Sequence, residues 1–435
     1  MRARLTRFQP RSGSAVVLAL AVGVAGAVVT TAGLASTAKT PKPKPFQLRI
    51  GNILSFTGDL AGFGPSLDQS ARLAVDTINA AARKAGAAKY SVKIVDSQDD
   101  QTQIAPAVEA ATKLVDQDHV NVILGTISSG STIAVAQSVS IPRHVFQITP
   151  TSSNPAIGKL KAGNPRTVWQ ISPSDNYQAR ELVDALRRSV GAKAKVNVGW
   201  RNDAWGNGVA TLFQKAWKKD GGSIGTTDSW DPNSPSLDTD ASRLASGSPA
   251  AWVIFDFPPD FAKLAPALVR TGKWQPTKTF VTAEMRDATA IAGMGSQATQ
   301  GLRGVSPSNE TTRLQDRFAA YFKAHANGKP FTGYEGTAFD AVVTTYLAAL
   351  KAGSTKASAI GKYMRWVTNP PGKHYTYLNL SAAIKAILAG KKIKYDGVSG
   401  ELDLGADGFP TSERYDIWTV RNGKPVTIST HTIKG

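Results

Sequence analysis

Short apolar runs bounded by polar turns alternate, in this chain, with longer segments whose apolar residues return every three or four positions. The first rhythm marks buried strands and the second amphipathic helices. Phe46–Ser55 reads as the first strand, and from Ser66 to Ala85 the residues Leu67, Ala71, Ala74, Val75, Ile78 and Ala82 recur at helical spacing. Tyr90–Val95 is predicted as a strand and Ile104–Gln117 as a helix. The run Val120–Leu124, an Ala/Val-rich segment ending at Ser140, and the run His144–Ile148 then read as strand, helix and strand. This alternation predicts a parallel sheet with helices on both faces.

The same grammar restarts after Asn164. It predicts helix Ser174–Val190, strand Lys195–Trp200, a turn over 201–208, helix Val209–Asp220 and a strand near Ser229. Strand Ala251–Phe255, helix Pro259–Thr271 and strand Thr279–Thr282 complete a second α/β lobe of similar size. Helices Thr311–Ala326, Thr337–Lys351 and Ser381–Leu388 come next, with a Pro/Gly/Asn-marked loop around Asn369–Gly372. The tail Tyr395–Thr430, with short alternating runs Glu401–Leu404 and Tyr415–Val420, reads as strands on the edge of a lobe.

Two polar turns stand out. Gly125–Thr126–Ile127–Ser128–Ser129–Gly130–Ser131–Thr132 and Thr149–Pro150–Thr151–Ser152–Ser153–Asn154 each come after an apolar run. Both are expected at the carboxyl ends of neighbouring parallel strands, where open α/β sheets collect ligands. Each is expected to open onto a helix, whose first N–H groups and dipole favour an anion. Glycine at 125 and 130 is expected to let a ligand approach the backbone. The chemistry suggested is capture of a small anion, a carboxylate, by hydroxyls and backbone amides. One such cluster alone reads more simply as turn and N-cap residues; a second in register on the neighbouring strand weakens that reading.

Composition narrows the function classes. The 435 residues contain no cysteine, which excludes disulfides, thiolate metal sites and thiol catalysis. Five scattered histidines without an HExxH pairing argue against zinc. Gly58, Gly62 and Gly64 do not match the dinucleotide fingerprint, and no phosphate-binding lysine comes after them. Asp96, Asp99 and Asp100 could be imagined as metal ligands, but a solvated loop with an N-cap is the simpler reading. No G-x-S-x-G elbow surrounds Ser128 or Ser129, so an enzyme is the weaker alternative. No catalytic residue, cofactor or metal is assigned.

Residues 1–38 have the form of an export signal. Arg2, Arg4, Arg7 and Arg11 precede an uncharged apolar run, Ser14–Leu34, and Ser36–Thr37–Ala38 offers small residues for cleavage before Lys39. The run is long for a signal core, so an uncleaved membrane anchor is the alternative. Residues 39–45 (KTPKPKP) read as an extended linker. The formal charge is +19, and +15 without those four arginines (47 basic residues against 32 acidic). The lysines are spread thinly with no recognition motif, so nucleic acid is not expected as a partner.

Several pieces in order carry a resemblance: Ile50–Leu54 with Thr57–Gly58–Asp59, Ala74–Asn79, Asp99–Asp100, Gly125–Thr132, Ile148–Asn154, Ser172–Asp175, Asn202–Gly208, and Tyr395–Gly397 with Gly400. Together they resemble the type I periplasmic binding proteins, and in particular the branched-chain amino acid (Leu/Ile/Val) family of ABC-transporter substrate-binding proteins. The resemblance implies two doubly wound α/β lobes joined by three hinge crossings, with the ligand held between them. Crossings near 170, 304 and 393 put 46–170 and 304–392 in the first lobe, and 171–303 and 393–435 in the second. It further implies Ser129 on the ligand carboxylate, Thr151, Ser152 and Ser153 in the second turn, and Glu284 on the ligand ammonium. Trp205, Phe63 and Phe257 are implied as aromatic lining, with Trp205 standing where the family usually has Tyr or Phe and Phe257 near another family tyrosine, in a stretch disturbed by Pro258 and Pro259. The expected partners are a small-molecule ligand and the membrane subunits of an ABC permease, for an exported monomer. The alternative is a ligand-sensing module of the same fold, binding an amide, urea-like or aromatic acid ligand.

Overall fold

The computed structural model describes residues 44–308 and 312–434. The expected signal and most of the linker lie outside the described residues. Among the described residues no helix is long and apolar enough to cross a membrane.

The chain begins with β1 (Phe46–Leu54), α1 (Gly64–Lys84), β2 (Tyr90–Asp99) and α2 (Ile104–Asp116). It continues through β3 (Val122–Gly125), α3 (Ser129–Val135), β4 (Phe146–Thr149) and β5 (Val168–Gln170). These strands form one five-stranded sheet in the order β2-β1-β3-β4-β5, parallel throughout. Strands β3 and β4 are buried along their whole length, as the uninterrupted apolar runs require of a sheet covered on both faces.

The next stretch of chain builds a second sheet. Its elements are α4 (Asp175–Val190), β6 (Lys195–Arg201), α5 (Ala204–Lys219), β7 (Ser223–Trp230), α6 (Asp238–Leu244), β8 (Ala251–Phe255), α7 (Pro258–Arg270) and β9 (Thr279–Val281). Then come α8 (Ala288–Met294), α9 (Ser296–Thr299) and β10 (Arg303–Pro307). After α10 (Arg313–His325), α11 (Glu335–Ala352), α12 (Ala357–Thr368), β11 (Lys373–Tyr375), α13 (Leu380–Leu388) and β12 (Ile393–Tyr395), the chain ends in β13 (Ser412–Arg421) and β14 (Lys424–Lys434). The larger sheet runs β14-β13-β10-β9-β8-β6-β7, with the two tail strands antiparallel at its edge. Glu401–Leu404 is not a strand; only Leu404 makes an isolated bridge, to Pro410.

Two expected crossings lie elsewhere. Strand β10 pairs with β9 and β13, so position 304 is inside the larger sheet, and the chain leaves it between Pro307 and Arg313. Ile393, Tyr395, Val398, Leu402 and Leu404 all pack in the core around the smaller sheet, so the return falls between Leu404 and Ser412. The Tyr and Gly residues at 395–400 mark a turn within that lobe. Helix α11 is buried from Glu335 to Leu350, apolar nearly all round as a central helix must be, with α1, α12 and α13 around it.

Helix α12 is not anticipated by the apolar rhythm, which gives Gly361 no place in a helix. The structure shows its purpose: a β-carbon there would lie 1.9 Å from the Arg166 carbonyl oxygen. Gly361 lets the helix lie directly on that loop.

Candidate ligand cavity between the lobes

The two polar turns meet at the carboxyl ends of β3 and β4. Ser128 caps α3, its hydroxyl accepting from the Ser131 N–H at 3.3 Å. Ser129 comes next, 2% exposed. Its Oγ accepts from the N–H groups of Ser153 and Asn154, 3.3 Å each. The Thr151 hydroxyl donates to the Ile127 carbonyl at 2.9 Å. The turns are therefore braced on each other rather than merely adjacent. The second turn differs from expectation: it leads into the short 3₁₀ turn Ile157–Lys159, not a helix.

The expected role of the glycines is also different. A β-carbon at Gly125, whose φ is +139°, would lie 2.2 Å from the Ile53 carbonyl oxygen, so the neighbouring strand requires glycine there. At Gly130 the nearest atom is the Ala204 β-carbon, at 3.5 Å, on α5 of the other lobe. What approaches these glycines is the protein itself. The aspartates are likewise structural: the Asp99 carboxylate accepts from the N–H groups of Phe56, Thr57 and Gln101, and Asp100 from the Ser55 hydroxyl and the Thr102 N–H.

One cavity collects seven of the eight residues named from sequence. Ser129, Thr151 and Ser153 form its first-sheet wall with Ser128 and Ile127, and Phe63 and Leu60 come from the loop after β1. Trp205, Phe257 and Glu284 form the opposing wall. Trp205 lies in the first turn of α5, which starts at Ala204, earlier than its apolar period suggests, because Asp203 caps it by accepting from the Gly206 N–H at 2.8 Å. Trp205 and Phe257 stack with centroids 4.9 Å apart and planes 24° apart. Ser152 is the residue the structure takes away from this wall. Its hydroxyl lies 2.8 Å from that of Thr132 and 3.0 Å from the Ile127 carbonyl oxygen, beneath the turn. Two consecutive residues in an extended turn point to opposite sides, and Ser152 is on the inner one.

Two further residues of this region carry no role from sequence. Tyr334 lines the cavity and packs edge-on against Phe63, centroids 5.6 Å apart; it sits just before α11, and no periodicity marks it. Asp175 is the first residue of α4, 1% exposed, with its N–H bonded to the Ser153 carbonyl at 2.9 Å. The motif Ser172–Asp175 is the one signal for it, with no role attached.

The electrostatics of the cavity are unusual. Burial, reinforced by the nearby Glu284 charge, pushes the Asp175 carboxyl up to about 8 against the pull of the Ser153 hydroxyl and the Trp205 indole N–H. Burial likewise pushes Glu284 up to about 7, with Asp203 adding to it and Thr282 and Arg201 opposing. Among the described residues, Oε2 of Glu284 is buried without a hydrogen-bond partner, while the Trp205 indole N–H is turned to the Asp175 carboxyl. Buried polar atoms are seldom left so, and a carboxylate oxygen of this kind on a cavity wall is what a polar ligand satisfies. The cavity is tight, about 40 Å³. Phe63, Glu284 and Tyr334 also border an adjoining cleft of about 730 Å³. The walls are held close by contacts across the gap, such as the Asn154 side-chain amide donating to the Ala204 carbonyl at 2.6 Å. A cavity of this size takes in a small molecule only if these walls separate.

Comparison with known proteins agrees with this architecture. The sequence profile of a family described as periplasmic binding protein matches residues 47–424. The Leu/Ile/Val-binding protein homolog 3 of Brucella melitensis is 30% identical over 195 residues, 45% of this chain and 49% of that protein, so the chain spans about half its length. The Leu/Ile/Val-binding protein BraC3 of Rhizobium johnstonii is 24% identical over 379 residues, 87% of this chain and 93% of that one. Among solved structures, the branched-chain amino acid transporter substrate-binding protein LivJ of Streptococcus pneumoniae, in complex with isoleucine, superposes with a TM-score of 0.70 at 19% identity, covering 90% of this chain and 100% of that one. A solute-binding protein from R. palustris in complex with benzoate gives 0.69 at 16% identity, covering 90% and 98%. With two α/β lobes facing one cavity and a profile match over nearly the whole described chain, this protein belongs to the periplasmic binding protein family and has its type I fold.

Proposed function

We propose that this protein is exported, captures a small amino acid of branched-chain or related type between its lobes, and passes it to an ABC permease. The observation that carries this reading is the polarity of the cavity. Hydroxyls and the start of α3 lie on one wall, suited to a carboxylate. The opposing wall presents a Glu284 carboxylate with an unpartnered oxygen, suited to an ammonium. A zwitterion satisfies both, whereas an anion alone leaves Glu284 without a partner. Ligand entry separates the lobes, and closure seals it from water.

Native mass spectrometry of the purified protein, followed by calorimetry with L-leucine, L-isoleucine, L-valine and benzoate, tests this. Saturable binding of an aliphatic amino acid is expected; binding of benzoate alone overturns it. The stacked Trp205 and Phe257 favour one second reading, an aromatic acid, since protonated Glu284 would not repel it. Export is tested by N-terminal sequencing of secreted material, expected to begin near Lys39; a start at Met1 overturns cleavage.

A further inference from the structure

Arg201, the last residue of β6, is 3% exposed and grips three carboxylates. Its Nε meets Asp203 at 2.6 Å, one terminal nitrogen meets Asp260 at 2.9 Å, and the other meets Asp59 at 2.8 Å. Asp203 and Asp260 belong to the larger sheet's lobe, at the starts of α5 and α7. Asp59 does not. It lies in the loop after β1, next to Leu60 and four residues before Phe63, both of which line the cavity. The guanidinium also lies over Phe257, its carbon 3.8 Å from the ring centroid, and Phe257 stacks on Trp205.

We propose that Arg201 is a positioning residue for ligand capture, gripping Asp59 across the cleft while stacking on Phe257, so that closure of the lobes sets the loop after β1 directly against the aromatic wall. The inference rests on the reading that ligand is captured between these lobes. Its physical basis is the division of partners. When the lobes part, Asp59, whose side chain is 32% exposed, goes to water, while Arg201 keeps Asp203 and Asp260. The open form therefore holds no stranded buried charge, and the grip is reversible. A planar fork with several donors suits this task; a lysine can neither reach three carboxylates in plane nor stack on the ring.

Asp59→Asn removes the grip from the exposed partner and leaves the rest of the Arg201 cluster intact. The chain has no native cysteine, so spin labels can be placed at Gln117→Cys and Lys215→Cys, one exposed position in each lobe. Pulsed dipolar spectroscopy of the ligand-free protein should show longer inter-label distances in Asp59→Asn than in the parent. Arg201→Met should show the same lengthening, with no further change when Asp59→Asn is added. Identical distance distributions in the parent and Asp59→Asn overturn the proposal, whether or not Arg201→Met folds. Titration with L-isoleucine should give about two- to fivefold weaker binding in Asp59→Asn, the range for an ion pair with one partner open to water. If L-isoleucine binds neither protein, the amino-acid reading fails while the distances still decide the role of Arg201.

Discussion

The Ser129 hydroxyl oxygen accepts the Ser153 N–H at 3.3 Å, tying the start of α3 to the turn after β4. It accepts the Asn154 N–H as well. With both lone-pair directions taken by amides, the Ser129 hydroxyl hydrogen is left to donate, and the cavity is where it can do so. The bond that shapes the site thus also sets the polarity of its best-placed donor.

Ser129→Ala should therefore weaken amino-acid binding by about ten- to a hundredfold, the equivalent of one hydrogen bond to a charged group. Ser153→Ala should act in the same direction. Ser152→Ala is the control beneath the turn. It removes buried hydrogen bonds to Thr132 and Ile127 and should lower stability by about 1–3 kcal/mol, with a smaller effect on affinity. Calorimetry and thermal melts on the three variants check this, and full affinity in both wall variants would mean the site is elsewhere.

Glu284 makes amino-acid binding depend on pH. Its carboxyl is pushed up to about 7, so as pH falls through that value the protonated form replaces the carboxylate that an ammonium needs. Affinity for L-isoleucine should fall about tenfold per pH unit below 7 and level off above it. Glu284→Gln should bind weakly at every pH with a flat profile. Benzoate, if it binds, should show the opposite slope.

The ligand-free protein should gain stability as pH is lowered from about 9 toward 5. Asp175 and Glu284 have folded-state values raised to about 8 and about 7, so the folded form holds their protons more tightly than the unfolded form. That contribution is fully present below the unfolded carboxyl range near 4 and is lost as pH rises through 7–8. Asp175→Asn removes a buried charge at high pH, so its melting temperature should exceed the parent's at pH 9 and approach it at pH 5.5. A parent whose advantage grows with pH would refute this assignment.

Trp205→Ala should cost about 3–5 kcal/mol of stability, since the indole is buried and stacked on Phe257. Trp205→Phe keeps a ring on Phe257 but removes the indole N–H that faces Asp175 and the volume of the second ring, so it should cost less stability than Trp205→Ala, about 1–3 kcal/mol. If the indole N–H is a ligand donor, Trp205→Phe should lower affinity by about threefold to tenfold. Unchanged affinity would assign it to packing alone.

Much of this protein is decided locally, and so is legible along the chain. Strands β1, β3, β4, β6 and β8 coincide with their apolar runs because a strand buried on both faces must be apolar at nearly every position. The two hydroxyl-rich turns coincide with strand ends for the same local reason: small polar residues end a strand and begin the turn after it. The family resemblance and the residues Ser129, Trp205 and Glu284 emerge from motifs in order, which no folding is needed to see.

What the chain could not disclose is set by contacts distant in sequence. Ser152 and Ser153 are chemically alike, and only the direction of the backbone at that turn points one inward and the other toward the cavity. Gly361 is a helix breaker by propensity and a packing requirement in fact, because the Arg166 carbonyl occupies the place of its side chain. The crossings lie away from 304 and 393 because β10 is claimed by β9 and β13, and β12 by β11, pairings that no local rhythm reveals. Asp175 and Arg201 acquire their meaning from Ser153 and Asp59 in the other lobe, and Tyr334 from Phe63, far from it in sequence. A carboxyl pushed up to about 8 and a guanidinium shared by three aspartates are properties of burial and proximity, and both exist only once the lobes face each other.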